Sequence, residues 1–393
     1  MDFRQISAAE RTATMFPLQT YAFMPSPWPE EEVAAYRRRM PFFESTINMI
    51  AEEDGEALAC AAALRMRQNV RGRVLDMAGV ASVASHPSAR RRGIVRELLT
   101  RLLRQSRQEG FAVSALYPFR PSFYARFGFV GIPRHRTASF APEGLSHLVR
   151  ADLPGEVERV PMWDGHEAYE ELSRRLLGER HGFSVFDAVR SAEFREEKQW
   201  VAVARVGGEV VGAVKYRIDR YGGELSGSDL LATGPLGRAL LLQYFSRHVD
   251  QVSRIVVRVG ADDVPELWGT DFSVTTEGQV NHPRRGGAMV RVLDMEALTG
   301  AAAGDGDVTV EIPEDEHVGG VWRLTGEGGR LSVTKGTSEP SATLTVGGFS
   351  GLLYGVLDPV EVAVRGLGRV DGAAIGSLSS LFPRQMPYIC ADF

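Results

Sequence analysis

Arg90-Arg91-Arg92-Gly93-Ile94-Val95-Arg96 puts three arginines and a glycine at the front of a helical pattern. A helix start presents unpaired backbone N–H groups, and the helix dipole adds partial positive charge. Gly93 lets the backbone approach an anion closely, and arginine supplies fork-shaped donors. Together they could cradle a pyrophosphate. The spacing is not that of a P-loop, which needs Gly-Lys-Ser/Thr, and the dinucleotide glycine fingerprint is missing. On residue type alone, a solvated basic turn explains the arginines equally well. Tyr124 is the second conspicuous group, a phenol among Phe119, Phe123, Phe127 and Phe129. By composition it reads as a core tyrosine. The histidines are dispersed (His86, His135, His181, His282), with no His-x-x-x-His pair. The only cysteines are Cys60 and Cys390, so neither a metal site nor a disulfide scaffold is expected.

These groups need elements to hold them. Residues 77–84 read as a strand, and 91–109 as a helix with Leu98, Leu99, Leu102 and Leu103 at helical spacing before Gly110. A strand at 112–116 follows. Upstream, 47–51 and 57–66 flank Glu53-Asp54-Gly55 as a hairpin, and Pro29-Glu30-Glu31-Glu32 opens a helix closed by Arg37-Arg38-Arg39. Strand, loop, helix and strand in that order predict a mixed α/β sheet over residues 1–150.

The plan recurs in 151–288. Strands at 200–206 and 210–216 flank Gly207-Gly208, a helix covers 237–249, and a strand covers 255–259. Gly93 and Gly237, Pro121 and Pro265, and Tyr124 and Trp268 share one offset of 144, which predicts an internal duplication. On that offset Gly234-Pro235-Leu236-Gly237 stands where the first copy has Arg90-Arg91-Arg92-Gly93. The charge and the phenol are both lost, so one copy is expected to act and the other to support it. Residues 289–393 read as a small α+β domain, with short strands at 308–312, 321–324, 331–333 and 342–346 and helices at 349–354 and 372–381.

Composition narrows the partners. At 393 residues the chain has room for two or three domains, and 44% hydrophobic content provides cores for them. A net charge of −5 argues against bulk nucleic-acid binding. No run of 18 apolar residues occurs, so no membrane span is expected. With so few cysteines and no signal-peptide layout at the start, a cytoplasmic protein is expected.

The strand, the Arg-x-x-Gly helix start and the later Phe123-Tyr124-Ala125-Arg126-Phe127-Gly128-Phe129 resemble the GNAT acyltransferase superfamily. There a Q/R-x-x-G-x-G/A loop holds the acetyl-CoA pyrophosphate, and a Tyr-x-x-x-Gly-Phe segment lies beside the thioester. Val95 departs from that pattern, standing where Gly or Ala is usual. With the three-part chain and the final Phe393, the whole is similar to the Eis (enhanced intracellular survival) family. That resemblance implies a catalytic GNAT domain, a degenerate second one and a sterol-carrier-protein-like third, whose end inserts into the catalytic site.

It further implies acetyl-CoA as co-substrate, Tyr124 as general acid toward the leaving thiolate, and the α-carboxylate of Phe393 as general base. By matching positions, Val83, Ala84 and Ser85 would bind the pantetheine arm. Arg91, Arg92, Gly93, Ile94, Val95 and Arg96 would hold the pyrophosphate, and Phe119 and Arg120 would flank the pantetheine. Trp28, with Phe23, Met24 and Phe42, could wall an acceptor pocket to which Asp392 or Glu44 draws a cation. The acceptor implied is a polycationic amine (aminoglycoside, polyamine or lysine-like), attacked directly in a ternary complex, and the assembly implied is a homohexamer. A protein or peptide N-acetyltransferase, or a non-catalytic protein sensing acetyl-CoA or carrying an apolar ligand, stays open beside this reading.

Overall fold

The structure, a computed structural model, describes residues 1–25, 27–282 and 286–393. The chain opens with β1 (Asp2–Ile6), α1 (Arg11–Phe23), α2 (Glu30–Arg38), β2 (Ile47–Glu53), β3 (Glu56–Val70), β4 (Arg73–Ser85), α3 (Ile94–Gln108), β5 (Val113–Leu116), α4 (Pro121–Tyr124) and β6 (Val130–Gly131). Then come β7 (Arg136–Phe140), α5 (Ser146–Val149), β8 (Glu156–Pro161), α6 (Met162–Glu179), β9 (Ser184–Phe186), α7 (Ala188–Ser191), β10 (Trp200–Val206) and β11 (Glu209–Ile218). β12 (Glu224–Asp229), β13 (Leu231–Ala232), α8 (Pro235–Ser246), β14 (Arg254–Val259), β15 (Val274–Glu277) and β16 (Met289–Val292) complete this part. The last part holds β17 (Gly306–Ile312), β18 (Gly320–Glu327), β19 (Arg330–Lys335), β20 (Ala342–Leu344), α9 (Val346–Leu353), α10 (Pro359–Val364), β21 (Gly368–Val370) and α11 (Gly372–Leu381).

Two sheets share one plan. The first runs β1-β2-β3-β4-β5-β16-β6, and the second β8-β10-β11-β12-β14-β7-β15. In each, only the central pair is parallel: β4 with β5, and β12 with β14. This bears on the expected boundaries at 150 and 288, which cut across the sheets. β7 leaves the first segment to pair with β14 and β15, and β16 returns from the start of the third to sit between β5 and β6. Strand pairing of this kind is long-range, so no local pattern marks it. β9, from the second segment, adds a further partner to β3.

The middle of β3 is alanine-rich for a packing reason. Ala59, Ala61 and Ala63 face α3, while Cys60 and Ala62 face the core containing Met15 and Leu18 of α1, so small side chains serve both sides of one strand. α3 buries Ile94, Leu98, Leu99, Leu102 and Leu103 on the sheet, each worth about 1.5–3 kcal/mol by burial. The third domain, a sheet ordered β19-β18-β17-β20-β21 with three helices, covers the opposite face of the first sheet. Its Trp322, Phe349 and Leu352 share one core with Met66, Met77, Val113 and Val290.

All three parts meet at the β3–β4 turn. Arg71 Nε donates to the Leu353 carbonyl at 2.5 Å, and its Nη2 to that of Pro383 at 2.7 Å. The Arg71 backbone N–H donates to His181 Nδ1 at 3.0 Å, and His181 Nε2 lies 3.1 Å from the Tyr354 carbonyl. A backbone N–H only donates and a carbonyl only accepts, so the imidazole is neutral with its proton on Nε2. Burial pushes the His181 pKa down to about 4. A folded-state pKa below the unfolded one means stability present above the unfolded value of about 6.5 and lost as pH falls toward 4. The expected loss is roughly 3 kcal/mol. His181→Asn should therefore melt below the parent at pH 7 and approach it at pH 4; parallel melting curves across that range would reject the assignment.

Candidate active site

The parallel pair at the centre of the first sheet opens. β4 and β5 are in register from Met77↔Val113 to Val80↔Leu116, after which β5 ends and β4 runs on to Ser85. At the opening β4 carries a bulge: the pairs Cys60↔Ala84 and Ala62↔Ala81 are out of step, and Ser82 sits at φ +58°. A bulge turns a backbone N–H out of the ladder, where it can meet a substrate carbonyl. Cys60 Sγ, 3.2 Å from the Ser82 carbonyl, ties the bulge down. Burial pushes that thiol up to about 12, so it remains a donor. Val83, Ala84 and Ser85 follow at once.

Residues 86–93 then turn the chain into α3. Arg91 at φ +62° and Gly93 at φ +81°, the N-cap, both take the left-handed backbone. Arg91, Arg92 and Arg96 are exposed, Val95 is half-buried, and Ile94 is buried as the first core residue of the helix. Arg92 reaches both Glu53 oxygens at 3.1 Å, an exposed pair of small worth. A Cβ on Gly93 would meet nothing within 4 Å. Gly93→Ala should fold, and it should shift the left-handed turn at a cost of about 1–2 kcal/mol. Calorimetry should find acetyl-CoA bound about ten-fold more weakly, and unchanged affinity would remove this loop from the cradle.

Tyr124 ends α4 and is 3% exposed. Phe123, Phe119 and Phe129 set their rings edge-on to it at 5.1, 5.6 and 6.3 Å. Burial raises its pKa well above 10, so the phenol is protonated at neutral pH. Phe119 belongs to this wall with one side exposed, and Arg120 is the exposed N-cap of α4.

The chain end reaches the same opening from the other face. Ala78 and Val80 share a core with Tyr124 and α3, whereas Met77 and Gly79 point away from it. Phe393 rests on Gly79: a Cβ there would stand 3.2 Å from the Phe393 ring and 2.6 Å from Met66 Sδ. The Phe393 ring lies 5.3 Å from Tyr117 and 6.4 Å from Phe186, and the Tyr117 hydroxyl donates to the Ala391 carbonyl at 3.0 Å.

Two expectations for the acceptor side change. The Asp392 carboxylate is tied at 2.5 Å to Arg258, which also pairs with Asp229, so it already faces a residue of its own fold. Trp28 packs edge-on to Phe16 at 5.9 Å, while Phe23 and Met24 stand exposed rather than forming a wall with it. The cations on this face gather round the Phe43 ring, with Arg11, Arg190 and Arg39 at 4.2, 4.9 and 5.9 Å from its centroid. Arg39 and Arg190 share Glu193; Arg11, 1% exposed, is held by Asn48 and the Tyr36 hydroxyl. Gly79, Ser82 and Tyr117 escaped the sequence reading. Gly79 alone left a trace there, as a glycine inside a strand pattern, which signals close approach.

The second sheet keeps the bulge, since Tyr216↔Gly227 and Ala213↔Leu231 are out of step by one, but not the loop or the phenol. β3 and β11 share a hairpin register and its bulge, so the pairs Ala63↔Val80 and Tyr216↔Gly227 make Val80 and Gly227 counterparts. Gly79↔Ala115 and Ser226↔Val256 then make Tyr117 and Arg258 counterparts. The eight residues between β4 and α3 shrink to two, Thr233 and Gly234, between β13 and α8. The counterpart of Gly93 is therefore the N-cap Gly234, not Gly237 as the constant offset implied. Gly237 instead lets α8 press on β11, where a Cβ would stand 2.1 Å from the Val211 carbonyl. Pro235 removes one N–H from the helix start. Trp268 does take the place of Tyr124 after a Pro-led turn.

Residues 2–131 match the family model of an acetyltransferase (GNAT) domain. This part of the chain is a GNAT acetyltransferase domain. Residues 291–390 match a sterol carrier protein domain. With the GNAT domain comes acetyl-CoA-dependent acyl transfer. An uncharacterized N-acetyltransferase of Streptomyces coelicolor is 27% identical over 354 residues, 83% of either chain. Another, from Streptomyces avermitilis, is 27% identical over 415 residues, 95% of this chain and 94% of that one. A GCN5-related N-acetyltransferase from Anabaena variabilis superposes over the whole of both chains with a TM-score of 0.84 at 16% identity. Eis1 from Mycobacterium abscessus does so with a TM-score of 0.79 at 19% identity. The fold, a GNAT domain, a second GNAT-like sheet and a sterol-carrier-protein domain, is thus Eis-like from end to end. Among the described residues no helix is long and apolar enough to cross a membrane, and no cluster of three or more His, Cys, Asp or Glu could hold a metal ion.

Proposed function

We propose that this GNAT domain transfers the acetyl group directly from acetyl-CoA to a primary amine held on the Phe393 face, in a ternary complex. One observation carries the reading: Tyr124 and the chain end reach the β4–β5 opening from opposite faces of the sheet. The Phe393 carboxylate takes a proton from the ammonium, directly or through water. The freed nitrogen attacks the thioester carbon while backbone N–H at the bulge bears the oxyanion. The C–S bond breaks as the C–N bond is completed; Tyr124 gives its proton to the departing sulfur, and the second proton shed by the nitrogen restores the phenol. One amide, one free CoA and one net proton result.

The acceptor class implied by the family is polycationic. A second reading is favoured by the three arginines around Phe43, which would repel a polycation and attract an amine that also carries a carboxylate. Thiol release should be followed with spermidine, an aminoglycoside, an amino acid and the matching amino-acid amide. Faster turnover of spermidine or the aminoglycoside supports the first class, and preference for the amino acid over its amide supports the second. Acetyl-CoA binding without amine-dependent thiol release would overturn the proposal in both forms. Assembly as a hexamer belongs to the same proposal, and sedimentation velocity tests it.

A further inference from the structure

We propose that Arg258, in the second copy, is a positioning residue for acetyl transfer in the first: it fixes the end of the chain against the catalytic sheet. The inference rests on the reading of the Phe393 carboxylate as base.

Where the first copy opens for its co-substrate, the second is closed. β12 and β14 stay paired through Asp229↔Arg258, and the Leu230 N–H donates to the Arg258 carbonyl at 3.0 Å. By register Asp229 is the counterpart of Ser82, the bulge residue, and it is 2% exposed. Arg258 Nη2 holds Asp229 at 2.8 Å, and the Tyr388 hydroxyl donates to the same carboxylate. Arg258 Nη1 holds Asp392 at 2.5 Å. Its counterpart Tyr117 binds the neighbouring residue, through the Ala391 carbonyl. Equivalent positions of the two copies thus grip consecutive residues of one tail.

The rest of the tail alternates in the same way. Tyr388 and Cys390 turn to the second copy: the Tyr388 N–H donates to the His181 carbonyl at 2.9 Å, Arg180 lies 4.0 Å over its ring, and Cys390 Sγ is 3.4 Å from the Ser184 carbonyl. Ile389, Ala391 and Phe393 join the core beneath the catalytic sheet. Period-two alternation is that of an extended chain held on both sides. A free terminus frays, whereas a charge-assisted bond one residue from the end restrains the last carboxylate. The co-substrate channel of the silent copy has become the anchor for a group that the active copy uses.

Arg258→Gln would also strand the buried Asp229, so the test rests on milder changes. Asp392→Asn takes the charge out of the tail-side bond and so weakens it, leaving the Arg258–Asp229 pair, and Arg258→Lys keeps the charge but not the two-armed grip. kcat, KM and the melting midpoint should be measured for both, in the parent and in a chain extended by four residues past Phe393. Asp392→Asn should lower kcat about ten- to a hundred-fold, with KM for acetyl-CoA and the midpoint unmoved, and Arg258→Lys should fall between it and the parent. In the extended chain neither change should cost more, because the carboxylate is already displaced. Unchanged kcat for Asp392→Asn, or the same fold-loss in both backgrounds, overturns the role of Arg258. An extension that leaves kcat unchanged overturns the base reading and this inference with it.

Discussion

Tyr124→Phe should lower kcat by about 10²- to 10³-fold while the dissociation constant of acetyl-CoA stays within about two-fold. Only one oxygen is removed, and the three phenylalanine rings around it keep their contacts. The lost contribution is a proton delivered to sulfur as the C–S bond breaks, so it is felt in turnover rather than binding. Burial raises the Tyr124 pKa above 10, and a general acid works while protonated. As pH rises, activity owing to Tyr124 should therefore persist through pH 10. A basic limb that falls at lower pH and survives in Tyr124→Phe would place the acid elsewhere. Equal turnover in the variant would remove Tyr124 from the chemistry.

Four residues appended after Phe393 should cost about 10²-fold in kcat without changing a side chain of the parent. The Phe393 ring can keep its seat on Gly79, but its backbone carboxylate becomes a peptide carbonyl with no proton affinity. The new carboxylate can lie up to roughly 13 Å further along an extended chain. Acetyl-CoA affinity should hold, since the cradle lies on the loop before α3. Full activity in the extended chain would exclude the terminus as base and leave water or a side chain of the Phe393 face to take the proton.

Much of the architecture was legible because it is local. The hairpin about Asp54-Gly55, the leucines of α3 and the acid-first, base-last helix α2 each carry their own periodicity or turn chemistry. The duplication was legible as well, though its single offset hid a deletion: loops change length between strands that keep their register, so one number aligns Tyr124 with Trp268 and misaligns Gly93. β1, α1 and α6 were not read at all. α1 carries Pro17 and a buried Arg11, which break the apolar stripe expected of a helix. The candidate site was legible where a motif names it, at Gly93 and Tyr124. Ser82, Tyr117 and Arg258 were invisible because their roles depend on which strands are neighbours, and side chains alone do not encode that.

The exchange of β7 and β16 makes the two halves mutually dependent. A polypeptide stopped after β6 would leave β5 and β6 facing a missing neighbour, with a row of unsatisfied backbone groups on each. The later half, taken alone, would lack the strand that joins β14 to β15. Neither half keeps a complete sheet when cut from the other, so neither can be passed to another protein as a module.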